Sequence, residues 1–188
     1  ANKVPTAGEA TFYNLGGKIS GAAGGYTTFS GASNAGNAKL IAYGGINGGS
    51  GGRIVFYGDS VGSTATVSLQ GNGILDISSH TNGLTIGSLE LSGGVITVQT
   101  GSYLTGLSLT SELILNSSKA TFSFPTDGGK FDYDTPYTIL TAPNLSDFSA
   151  AQFNWINLEG AIATFRIEGN NLQVSFNRAD WVGGSKLI

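Results

Sequence analysis

Hydrophobic positions in this chain fall in short runs, each closed by Gly, Asn or Ser. Arg53-Ile54-Val55-Phe56-Tyr57 gives way to Gly58-Asp59-Ser60-Val61-Gly62-Ser63, then Thr64-Ala65-Thr66-Val67-Ser68-Leu69. Gln70-Gly71-Asn72-Gly73 turns the chain again, and Ile74-Leu75-Asp76-Ile77-Ser78 follows. No run is long enough for an ordinary helix. β-Branched residues fill the runs and Gly punctuates them, which predicts short strands and tight turns. The pattern also recurs by offset. Phe29-x-Gly31-x-Ser33 returns as Phe56-x-Gly58-x-Ser60, Ala38 as Ala65 and Gly44 as Gly71, each 27 positions on. A short strand, a turn and a short strand laid against a neighbour like itself is the sequence pattern of a β-solenoid.

Two changes of texture follow. From Ile74 to Leu115 the apolar positions are aliphatic: Leu84-x-Ile86-x-x-Leu89-x-Leu91, Val95-Ile96-Thr97-Val98, Leu104-x-x-Leu107-x-Leu109 and Leu113-Ile114-Leu115. Stacked Ile, Leu and Val suit a narrow interior, each burial contributing about 1.5–3 kcal/mol. Beyond Ala120 large rings concentrate, from Phe122 and Phe124 to Phe176 and Trp181. Ala163–Ile167 and Leu172–Phe176, joined through Glu168-Gly169-Asn170-Asn171, predict an antiparallel hairpin. Ser149-Ala150-Ala151-Gln152 matches a capping box, predicting one short helix around 149–155. We therefore expect an opening segment (1–10), β-solenoid coils (11–119), C-terminal coils with an aromatic-rich cap (120–178), and a tail (179–188). The Gly44–Gly52 tract is expected to be an insertion lying outside the ladder.

Composition narrows the function classes. Charged residues make up 11% of the 188, against roughly 25% in ordinary soluble domains, and 30 residues are Gly. The 40% apolar content in regular runs argues against disorder. A net charge of -3 with Lys and Arg scattered singly offers no surface for nucleic acid. No apolar run approaches the roughly 20 residues of a membrane helix. There is no Cys to set a redox compartment, and the Ala1-Asn2-Lys3 start suggests a processed chain.

The Phe-x-Gly-x-Ser units, the Gly71-Asn72-Gly73-Ile74-Leu75-Asp76-Ile77-Ser78 step, and the Tyr137–Ala142 and Asn171–Phe176 segments resemble autotransporter-like bacterial surface proteins. The resemblance covers roughly residues 11–178. It implies a right-handed parallel β-helix in an exported protein, with adhesion or surface display as its role.

Candidate chemistry is sparse. Asp127, Asp132 and Asp134 on a Gly-bearing turn form a weak calcium candidate, since three carboxylates can supply hard oxygen ligands; a solvated turn is the simpler account. His80, the single histidine, lies in a turn and is expected to face water. With no nucleophile elbow around it, it suggests neither a triad nor a zinc site. Asp59, Asp76, Glu90 and Glu112 would build a lyase or hydrolase face if their coils register, and otherwise read as lone charges on edges or turns. Tyr13, Tyr26, Tyr43 and Tyr57 are candidate glycan platforms, with corner packing as the alternative. Asn116-Ser117-Ser118 and Asn144-Leu145-Ser146 match the glycosylation pattern, as chance allows in so Asn- and Ser-rich a chain. The expected protein is a non-catalytic, extracellular or cell-surface β-solenoid without cofactor, serving structure or adhesion. Its partners are surface glycans or copies of itself, the latter in a filament or sheath. A carbohydrate-binding or polysaccharide-cleaving module is the further alternative.

Overall fold

The computed structural model describes residues 4–99, 106–116, 119–125, 132–133, 135–156, 158 and 160–178. It is all-β, with strands β1 (Thr11–Asn14), β2 (Tyr26–Phe29), β3 (Lys39–Ala42), β4 (Arg53–Phe56), β5 (Thr66–Asp76), β6 (Leu84–Ile86) and β7 (Ser88–Thr97). There follow β8 (Leu107–Leu109), β9 (Leu113–Leu115), β10 (Ala120–Ser123), β11 (Tyr137–Thr141), β12 (Phe153–Ile156), β13 (Ala161–Glu168) and β14 (Asn171–Arg178). Nine strands form one sheet whose pairings are all parallel. Five form a second sheet in the order β13-β14-β11-β8-β6, parallel at β6, β8 and β11 and antiparallel at β14 and β13.

Register explains the repeat. β2 lies on β4 with Phe29 opposite Phe56, and β3 on β5 with Lys39 opposite Thr66, so strands 27 residues apart are neighbours. Leu40, Val67, Leu89 and Leu113 therefore stand in one buried column, and Ile54, Leu75, Ile96 and Phe122 in another. Leu84, Leu107 and Leu140 make a third, on the smaller sheet. Strand alternation sends these residues to one side and their neighbours to the other, and a parallel stack repeats that choice at every level. Phe29 and Phe56 stack with ring centroids 4.8 Å apart. Asn and Ser at the corners tie one level to the next: the Ser63 hydroxyl donates to Asn34 Oδ1 at 2.8 Å, and the Gly45 N–H to Asn72 Oδ1 at 2.6 Å.

Three expectations change. The Gln70–Gly73 turn does not separate two strands. β5 runs through it, because Gly71 takes φ +57° and the register slips between Gly71 and Ile74, so one strand serves β3 with its first half and β4 with its second. The Gly44–Gly52 tract is not outside the ladder either. It stacks on Leu15–Gly25: Gly17 N–H donates to the Ser50 carbonyl at 2.8 Å, Ile46 N–H to Gly17 at 2.9 Å, and Ser50 N–H to Ala22 at 2.9 Å. The expected helix is two single 3₁₀ turns, Leu145–Asp147 and Ala150–Gln152. The Ser149–Gln152 capping box forms, but the alternation of Phe153-Asn154-Trp155-Ile156 then takes the chain into β12 beside β10.

The predicted hairpin is present as β13 and β14, turning at Gly169-Asn170. It places Phe165 6.0 Å from Phe122 and 6.3 Å from Phe153, ring centre to ring centre. No helix among the described residues is long and apolar enough to cross a membrane.

Candidate functional site

Outward residues of β2, β4 and the second half of β5 come together in register. Tyr26 stands beside Arg53, and Arg53 beside Ile74; in the next outward row are Thr28, Val55 and Asp76. The stacked corners Ala23-Gly24 and Ser50-Gly51 wall this surface, leaving an open groove of about 600 Å³. Close stacking requires those corners to be glycine. A Cβ on Gly24 would run into the Gly51 carbonyl, and one on Gly51 into the Asn72 carbonyl.

Arg53 is fixed from below. Its guanidinium binds Asp76 Oδ2, while Asp76 Oδ1 accepts from the Ser78 N–H at 2.9 Å and from the Ser78 hydroxyl at 2.7 Å. Asp76 is only 5% exposed, so it is neither the edge nor the turn charge expected from sequence. Alternation points its side chain outward, and Arg53, one level away, covers it. A carboxylate with three donors is a stable anchor, and the guanidinium keeps further N–H groups for other partners.

His80 is also corrected. It is 5% exposed, because its turn is held against the preceding level: Gly58 bridges His80, and Thr81 N–H donates to the Gly58 carbonyl at 2.9 Å. His80 Nε2 donates to the Ser60 carbonyl at 2.7 Å, and Nδ1 has no hydrogen-bond partner among the described residues. The buried Ser60 hydroxyl has no partner either, so serine and imidazole meet through main chain and do not form a nucleophile–base couple. Both line a cleft of about 220 Å³ with Asp59, Asn82 and Thr85.

The remaining acids do not converge. Asp76 shares a row with Val55 and Thr97, and Glu90 with Ser68 and Ile114. Asp59 and Glu112 are exposed at turns, and Glu90 accepts from Asn116 Nδ2 at 2.7 Å. Register thus puts no two of them side by side as a carboxylate pair. Of the calcium candidates, Asp127 and Asp134 lie outside the described residues. Asp132 accepts from the Thr135 hydroxyl at 2.7 Å. Among the described residues no group of three metal-ligating side chains occurs.

The four tyrosines do not form one row. Tyr13 and Tyr43 stack on each other, 6.4 Å between centroids and 24° between planes. Tyr26 lines the groove, and Tyr57 is exposed beyond β4. Sequence reasoning named Tyr26 but missed Arg53, Val55 and Ile74. The strand spacing that unites them was already present in the 27-residue repeat for Tyr26 and Arg53, though not for Ile74. Compared with known protein families, with curated proteins and with solved structures, the chain matches none.

Proposed function

We propose that the chain is a right-handed parallel β-helix, capped at its C-terminal end by the β13–β14 hairpin, and that it serves as a non-catalytic adhesive scaffold on a bacterial surface, of autotransporter-like type. The observation that carries this reading is the repeated register, in which three columns of buried side chains pass through successive levels. Such a ladder fixes its outward rows rigidly and leaves a surface poor in charge, both suited to display and contact. Handedness follows the usual sense of parallel crossovers. Purified protein coated on beads tests the role. Saturable attachment of the beads to cells or to extracellular matrix is the expected outcome, and beads no stickier than albumin-coated ones would sink it.

Self-assembly is a second reading, favoured by the first two strands. Among the described residues β1 pairs with β3 alone and β2 with β4 alone, and neither Thr-Phe-Tyr-Asn nor Tyr-Thr-Thr-Phe carries a charge or a proline to discourage pairing. Val4, Tyr13, Leu15, Ile19 and Tyr26 are exposed around them. Sedimentation velocity decides it: a monomer at every accessible concentration removes this reading.

A further inference from the structure

We infer that the Tyr26–Arg53 groove is a binding site for a neutral saccharide chain, a ligand class that gives the adhesive reading its partner and rests on it. Three features converge there.

The first is an aromatic face. Tyr26 lines the groove with 75% of its surface open, so its ring is free to meet a ligand. It stands one strand, about 4.8 Å, from Arg53, so a ring and a planar cation lie next to each other on one surface. Sugar rings present apolar C–H faces to surfaces of this kind.

The second is one fixed donor with hydroxyls beside it. Asp76 holds Arg53 in place, and the Thr28 and Ser50 hydroxyls lie along the same groove. An immobilised donor such as Arg53 costs a ligand little ordering entropy, which matters for polyhydroxylated chains that bind through many weak contacts.

The third is the balance of charge, which selects the class. Arg53 is the one charged residue among the described residues lining the groove, and Asp76 beneath it neutralises it. An anionic ligand would find no uncompensated positive charge, and the carboxylate close by would oppose it. Val55, Ile74 and the glycine corners complete an apolar, side-chain-poor wall over which a neutral chain can lie. The Ser60–His80 cleft, by contrast, has no Tyr, Trp or Phe among its lining residues and less than half the room.

Calorimetric titration of the folded chain with cellohexaose, xylohexaose, mannohexaose and chitohexaose, with hexagalacturonate as the acidic comparison, tests the inference. At least one neutral hexamer should bind. Tyr26→Ala should weaken it about tenfold or more, whereas Tyr26→Phe, and Tyr57→Ala outside the groove lining, should stay within about twofold of the parent. No neutral hexamer bound, binding of the acidic one alone, or an affinity indifferent to Tyr26→Ala would each overturn it. The bead assay with the same variants separates the two proposals. Beads that adhere while no sugar binds remove the groove and leave the scaffold. Sugar binding without adhesion leaves the groove and removes the scaffold's role.

Discussion

The Asn144 carboxamide occupies both main-chain groups of Leu113: the Leu113 N–H donates to Asn144 Oδ1, and Asn144 Nδ2 donates back to the Leu113 carbonyl, each at 2.9 Å. The side chain thereby imitates a strand along the edge of β9 that faces away from β7, its one strand partner among the described residues. The glycosylation-pattern asparagine is thus structural, and a glycan on Nδ2 would have to displace this pair. Asn144→Ala should lower stability by about 1–3 kcal/mol, the usual cost of stranding half-buried main-chain groups. Asn144→Asp keeps one acceptor but turns a carboxylate toward the Leu113 carbonyl, so it should not rescue. Urea unfolding midpoints measure both; a parental midpoint for Asn144→Ala would rule out the strand-like role.

Arg53 and Asp76 should show energetic coupling. Removing Arg53 strips a buried carboxylate of its counter-charge, while in an Asp76→Asn background no charge is left to strand. Because Arg53 is half exposed, the coupling expected from a double-mutant cycle is about 1 kcal/mol, well below that of a fully buried pair. Additive single effects would contradict the anchor.

Gly52 and Gly169 separate crowding from backbone strain. A methyl on Gly52 would meet the Asn14 carbonyl, and Gly52 cannot retreat, since it is hydrogen-bonded to both Tyr43 and Ile74. Gly169 has open space around it but a φ of +57°. Gly52→Ala should therefore cost about 3 kcal/mol and Gly169→Ala about 1 kcal/mol. A thermal-melt series that reversed this order would show that the corners are not tightly stacked.

The ring stack gives a graded series. Phe56 is fully buried against Phe29, whereas Phe12, edge-on to Phe29 at 6.4 Å, is only half buried. Phe56→Ala should cost about 3–5 kcal/mol and Phe12→Ala about 1–2 kcal/mol, read from guanidinium midpoints.

The legible part of this fold is the part where one residue type marks one corner. Phe29 and Phe56, or Ala38 and Ala65, give away their spacing because rings and small residues recur at matching places. From β5 to β9 the buried hydrophobics are all Leu, Ile or Val, so the shorter step that sets Thr66 opposite Ser88 carries no distinctive mark. The groove was hidden for a related reason: Tyr26, Arg53 and Ile74 sit on three strands far apart in the chain, and only register brings them together. His80 and Asp76 were misread because turn and alternation patterns report which way a residue points locally. They are silent on what the next level lays over it.

The hairpin also gives the molecule a direction of failure. The four-residue strands at the tyrosine-bearing end each have one neighbour among the described residues, and losing one leaves its successor in the same position. At the other end the four-residue β12 also has one strand neighbour among the described residues, β10, but Phe153 is covered by Phe165 of the hairpin at 6.3 Å. There β14 is held by β11 on one side and β13 on the other, so fraying should start more readily at the first strands. The groove is built from those first levels. It is therefore the least durable part of the protein, and whatever occupies it would act as a clasp, raising the resistance of the whole ladder in proportion to how tightly it is held.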